Sequence, residues 1–270
     1  MGTRSSLVGG TFYAANQVLG ALSENAFAQL APHLHKVAFK KGASLWSPSS
    51  PSGSIFFPLS GLISIVRMDT EGRGIEVGFA GRESAVGFST DELTRGTVQV
   101  AGISLQVLKD RFWALASEHA ELRTLAACCQ DWMLVQSRVL AACNAVHDVQ
   151  ARLCRWMLQI SDRTGAEIPS TQDEIAQLLG VRRTTLTLVA HKLQDDQAIR
   201  YRRGLIMVQD RAHLRTLTCD CYHDMAALPL PCERMEGLAL HQHAAAELIE
   251  ASGHNAGVGR HILGTKNTSS

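Results

Sequence analysis

The sequence predicts an α+β protein: an N-terminal antiparallel β-roll of jelly-roll type, a long dimerisation helix and a C-terminal winged helix-turn-helix. Three observations predict it. Between Val37 and about Leu108, short runs of strand character are separated by the turn signals KKG, SSPSG, PLSG and DTEGRG, the spacing of an antiparallel roll. From Arg111 to Cys143, helical periodicity runs without an internal Pro or Gly. From Ser170 to Val208, two short helices, a tight turn and a hairpin follow one another.

A chain of 270 residues can hold two modest domains, each with its own core. The expected division is a flexible arm over 1–17, the roll over 18–110, the connecting helix over 111–146, the winged domain over 147–218 and a partly disordered tail over 219–270. Hydrophobic residues make up 46% and charged residues 19%, an ordinary globular balance, and no stretch reaches the apolar length of a membrane span. The N-terminus lacks the hydrophobic core of a signal peptide. Seven scattered cysteines form no disulfide framework and fit reduced thiols. A cytoplasmic location with no membrane partner follows as the expectation.

Taken in order, Ser23 is placed to cap a helix over ENAFAQL, which Pro32 ends or bends. Strand character then marks VAFKKGASLW, SIFFPLSGLISIVRM, GIEVGFAGRESAVGF and TVQVAGISLQVL. The following helix, read as one, carries the stripe Leu122, Leu125, Ala126, Cys129, Met133, Gln136, Leu140 and Cys143. Such a helix either covers the roll or joins two copies in a homodimer, and a pair of half-site readers favours the homodimer. His147 to Asp162 reads as a further helix with Val149, Leu153, Trp156, Met157 and Ile160 inward, and the stretch to Ile168 as a loop. A last short helix is expected near GLALHQHAAAELIEAS.

The segment from Ser170 carries the function. Thr171 and Glu174 have capping-box spacing, and Ile175, Leu178 and Leu179 give the first helix one apolar face. Gly180 permits the left-handed turn. The second helix puts Leu186, Val189, Ala190 and Leu193 inward, leaving Arg182, Arg183, Thr184, Thr185 and Thr187 at its start and on other faces. IRYRRGLIMV supplies a hairpin around Arg202, Arg203 and Gly204. Between Val181 and Arg215 lie eight Lys and Arg against three Asp, a local balance of +5 in a chain of net charge +1. Positive charge gathered on a helix-turn-helix is the footprint expected for double-stranded DNA. The competing reading is a roll module that binds a ligand or protein, with weak or non-specific DNA contact.

Roll, long helix and winged helix in this order resemble the Crp/Fnr family of bacterial transcription regulators. The resemblance runs from about Leu19 to Leu217 and is most specific in TQDEIAQLLGVRRTTLTLVAHKLQDDQAIRYRRGLI. It implies a sequence-specific regulator that reads operator half-sites, acts as a homodimer and works with RNA polymerase. It also implies that Arg183 meets guanine, and that Thr171 and Thr185 hold phosphates, with Arg182, Lys192, Arg202 and Arg203 adding charge. The family's acidic and second arginine positions are here Thr184 and Leu188, so the preferred site should differ, with methyl contacts to thymine.

The same resemblance brings ligand expectations. The family's Gly-Glu pair is here Gly87-Phe88, and LTRG offers Arg95 without the phosphate-binding order, so cyclic AMP is not expected. Arg82, Glu83 and Arg95 read as solvated loop charges. No cysteine precedes Cys128, so the iron–sulfur cluster of the oxygen-sensing branch is not expected either. Cys128, Cys129, Cys143 and Cys154 read as small hydrophobes. Cys219-Asp-Cys221 with Cys232 and His223 lacks the two-plus-two spacing of a standard zinc site, and no metal is expected. His33-Leu34-His35 has no carboxylate after it, and no catalytic constellation is present, so the chain does not read as an enzyme.

Overall fold

The computed structural model describes residues 15–238, apart from 48, 51–52, 71 and 90–92. The chain opens on α1 (Gln17–Gly20) and α2 (Glu24–Leu30), capped by Ser23, whose Oγ accepts from Ala26 N. A 3-10 turn over Ala31–His33, with Pro32 in it, closes this segment. Seven strands follow: β1 (His35–Phe39), β2 (Ser44–Trp46), β3 (Ser54–Pro58), β4 (Leu62–Met68), β5 (Gly74–Ala80), β6 (Thr94–Val100) and β7 (Gly102–Leu108). They form two antiparallel sheets, ordered β1-β7-β3 and β2-β6-β4-β5. The turn from β3 to β4 depends on Gly61 at φ 78, where an added Cβ would meet the Val100 carbonyl oxygen at 2.5 Å.

The expected arm is partly structure. Asn16 is fully buried, and its Nδ2 donates to the carbonyls of Pro58 and Ser84, both at 3.0 Å. That anchors α1 on the roll through a side chain that packing alone would have left in solvent.

The expected single helix is two, α3 (Lys109–Glu118) and α4 (Ala120–Val146), broken at the extended residue His119. Arg123 explains how the break is tolerated: its Nη1 donates to the carbonyls of Ala116 and Ser117 at 2.6 and 3.1 Å. The break lets Phe112 and Ala116 from α3 enter the same apolar cluster as Leu122, Leu125 and Ala126 from α4. The stripe read on this helix packs within the chain: all of its members are buried except the half-buried Met133.

Beyond α4, α5 (Val149–Thr164) is capped by Asp148 and buried on every side from Leu153 to Ile160, Arg155 included. The expected loop after it is shorter, because β8 (Glu167–Ile168) forms there and pairs with the hairpin. Then come α6 (Gln172–Leu178), α7 (Arg183–Asp195), β9 (Ile199–Arg202), β10 (Leu205–Val208) and α8 (Arg211–Leu217). The presumed tail continues as α9 (Cys221–Ala227) and α10 (231–238). It is held by apolar residues: Tyr222 and Met225 join the α5 core, and Met235 joins the cluster under α3 and α4. The helix expected near GLALHQHAAAELIEAS lies almost wholly outside the described residues. Leu62 and Phe79 of the roll share one cluster with Trp156, Met157 and Ile160, so roll and C-terminal domain meet in a common core.

Candidate nucleic-acid interface

Local rules build the helix-turn-helix. Thr171 Oγ1 accepts from Glu174 N at 3.2 Å while Glu174 Oε2 accepts from Thr171 N at 2.8 Å, a complete capping box for α6. The helix ends in a Schellman closure: Val181 N donates to Ala176 O and Gly180 N to Gln177 O, each at 2.9 Å, with Gly180 at φ 63. The chain thus turns sharply from α6 into α7. Leu186, Ala190 and Leu193 bury one face of α7, with Val189 half-buried beside them.

That burial fixes what faces out. Arg182, Arg183, Thr184, Thr185, Leu188 and Lys192 are exposed, Leu188 at 72%. Leu188 therefore contributes little to this core. Arg183 pairs with α6, its Nε 3.1 Å from Asp173 Oδ1, and its side chain stays mostly exposed. Thr187 is half-buried and donates to Gln172 Oε1 at 2.8 Å. Thr171 is also half-buried, with its hydroxyl engaged in the cap.

The hairpin places Arg202 opposite Leu205, joined by Arg203 and by Gly204 at φ 81, and both arginines are exposed. The residues singled out from sequence therefore fall on α7, the start of α6 and the hairpin tip. Asp173, Gln172 and His191 were missed, and Arg200 was counted only toward the local charge. Asp173 and Gln172 brace α7 only through tertiary contacts, while His191 and Arg200 add exposed polar surface. Arg211 departs from the phosphate footprint. It turns inward to Ser161 Oγ at 2.8 Å, Tyr222 Oη at 2.9 Å and the Asp162 carboxylate.

The roll reaches this domain directly. Lys41 Nζ pairs with Glu174 Oε2 at 2.7 Å, Gln99 Nε2 donates to Ser170 Oγ at 2.7 Å, and Ile75 lies against Gly180. Glu83, read as a solvated charge, is buried and pairs with Arg163 Nε at 2.7 Å, while Arg163 also covers the Phe79 ring. Glu76 is buried on β5, and burial pushes its carboxyl from 4.5 up to about 7 against the pull of the Ser64 hydroxyl and the Arg155 and Arg163 charges.

Among the described residues, a cavity beside α4 and a cluster of thiols can each hold a small group. A cavity of about 280 Å³ lies between the roll and α4, lined by Trp46, Ile65, Phe88, Met133 and other uncharged residues. At the far end of α4, Cys143, His147, Cys219 and Cys221 converge, whereas Cys232 packs with the cluster under α3 and α4.

The family description of the Crp-like helix-turn-helix domain matches residues 151–217. The chain is 25% identical to the CRP-like protein Clp of Xanthomonas oryzae pv. oryzae over 206 residues, 70% of this chain and 89% of that protein. In fold it is similar to a crp/fnr-family protein from Eubacterium rectale, with a TM-score of 0.63 at 16% identity over 76% of this chain and 98% of that one. It is also similar to the c-di-GMP responsive global regulator CLP of Xanthomonas campestris, with a TM-score of 0.57 at 20% identity over 69% and 99%.

Proposed function

We propose that the chain is a DNA-binding transcription regulator of the Crp/Fnr family, reading operator half-sites as a homodimer under control of a signal received at the roll, a reading that the Crp-like helix-turn-helix match and the CRP-like relatives support. The observation that carries the reading is α7 itself, whose outward face presents Arg183 braced by Asp173, with Thr184 and Leu188 beside it. Arg183 would take guanine O6 and N7 through its Nη atoms, and Thr184 and Leu188 would meet thymine methyls. Arg182, Thr185, Lys192, Arg202 and Arg203 would engage phosphates and set the register. Thr171 and Thr187 play a smaller part, since their hydroxyls already serve the fold.

The homodimer would use the outward face of α4, where Ala127, Leu134 and Ala141 recur every seven residues and are exposed. Leu134 also lines the roll cavity, so a ligand there would bear on the dimer face and shift how two recognition helices are spaced. The described lining holds no Lys or Arg, which suits an uncharged ligand and argues against cyclic AMP or the cyclic dinucleotide named for the Xanthomonas campestris relative. An iron–sulfur cluster is left out of the reading because no cysteine precedes Cys128. A cytoplasmic regulator acting with RNA polymerase, and not an enzyme, completes it.

Selection of binding sites from random duplex DNA tests the reading. Enrichment of a two-fold symmetric site that Arg183→Ala relaxes at one base pair per half-site is the expected result. Enrichment unchanged by the substitution would remove Arg183 from base reading, and no enrichment in purified protein or cell extract would overturn the operator reading.

A further inference from the structure

Cys143 and His147 stand one helical turn apart, the first at the end of α4 and the second as its C-cap. Cys219, after α8, lies 76 residues beyond Cys143, and Cys221, at the start of α9, lies 74 beyond His147. The fold brings their ligand atoms within 4.8 Å of one another. Cys143 Sγ is 3.6 Å from Cys219 Sγ, and Cys221 Sγ is 3.6 Å from His147 Nδ1. Tetrahedral zinc with bonds of about 2.3 Å to sulfur and about 2.05 Å to nitrogen has edges of about 3.8 Å between sulfurs and about 3.5 Å from sulfur to nitrogen. The observed separations are close to those edges, and far from the roughly 2.05 Å of a disulfide. A polynuclear iron–sulfur cluster attaches its ligands to different irons and spreads them wider than a single ion does.

The surroundings fit a thiolate-bound cation. All three cysteines are buried and His147 is half-buried, so the site is closed. Arg152 and Arg155, both buried on α5, bear electrostatically on the thiols, and the Nε–H of each is buried without a hydrogen-bond partner. Three thiolates and a histidine around a divalent ion leave one net negative charge, which a guanidinium beside the sulfurs offsets. Binding would release the thiol protons to solvent, with no change of oxidation state.

We propose that Cys143, His147, Cys219 and Cys221 bind one thiophilic divalent cation of the zinc class in a closed tetrahedral site. The site ties the end of α4 and its junction with α5 to the segment that follows α8. It therefore fastens the joint between the long helix and the DNA-binding domain at a point that neither the roll cavity nor the operator surface touches.

The test uses the full chain, purified reduced. Elemental analysis and native mass spectrometry should find about one zinc per chain, and cobalt exchanged into it should show the thiolate-to-cobalt charge-transfer band of a tetrahedral site. Cys219→Ser and Cys221→Ser should each weaken cobalt binding by more than about 100-fold, beyond the loss of an outer-sphere partner. Cys232→Ser should leave it unchanged, and circular dichroism would verify that each variant is folded. A reduced wild-type chain that takes up neither zinc nor cobalt would overturn the proposal without reference to any variant. So would a site that survives both ligand substitutions, or one lost in Cys232→Ser.

Discussion

Arg183, the proposed base reader, pairs through Nε with Asp173 at 3.1 Å, an exposed contact that restrains the guanidinium only weakly. Arg183→Ala should weaken binding to the selected half-site by about 1–3 kcal/mol and flatten the preference at one position. Asp173→Asn should cost less, since it frees the side chain without removing it. Fluorescence anisotropy on matched and single-base-changed duplexes would read both effects. The arginine was legible from its place in the motif, but its partner was not, because the pairing depends on how α6 crosses α7. Glu76 makes a separate point at this scale. Its carboxyl is raised from 4.5 to about 7 by burial, so between those values the folded chain keeps a proton that the unfolded chain has lost. Stability from this group is therefore highest at low pH, falls as pH rises toward about 7, and levels off above. Glu76→Gln should remove that fall and gain on the order of 3 kcal/mol over the native chain at alkaline pH. Urea unfolding of both proteins at acid and alkaline pH checks it, and parallel pH profiles would refute it.

Among the elements, the longest helix shows how far periodicity reaches. Its stripe from Leu122 to Cys143 was legible because three- and four-residue steps are local, and the structure buries that stripe in the chain's own core. The break at His119 was not legible: no Gly or Pro marks it, and the carbonyls it frees are taken up by Arg123 from the next helix. Strand order was open for the same reason, since β6 pairs with both β2 and β4 across long intervals of chain. The thiol cluster was half legible, because Cys219 and Cys221 stand together in sequence while Cys143 and His147 join them only through the fold. With the inner stripe used up, any dimer contact on α4 falls to its outward face, centred on Leu134, which is 47% exposed. Leu134→Glu would set like charges against each other across a two-fold axis, at a position that contributes only part of its side chain to the monomer. Sedimentation velocity should show the proposed dimer shift to monomer while circular dichroism shows the chain still folded. A dimer that persists at micromolar concentration would place the interface elsewhere.

At the scale of the whole molecule, the expected boundary between roll and DNA-binding domain is a shared core. Leu62 and Phe79 pack with α5, while the Glu83–Arg163 and Lys41–Glu174 pairs cross at either side. The roll is therefore in direct contact with α6, which in turn pairs with Arg183 through Asp173. Charge is divided as unevenly as packing is shared: the chain as a whole is +1, yet Val181 to Arg215 carries +5, and Arg211 within it is turned inward. The cations that remain exposed lie on α7 and its N-cap, along β9 to the hairpin tip, and on α8 as Arg215. Arg202 ends β9 and Arg203 stands on the two-residue turn, and among the described residues no ion pair aims either side chain at base edges. They should contact phosphate, each contact releasing close to one counterion, or about 0.9 in the slope of log affinity against log salt. Replacing both with Ala should lower that slope by about 2, weaken binding to all duplexes alike at low salt, and leave the selected sequence unchanged. Affinities measured over a salt series, with the selected and a scrambled duplex, separate the two roles. An unchanged slope would take the hairpin off the phosphates, and a changed sequence preference would make it a second reader of bases beside α7.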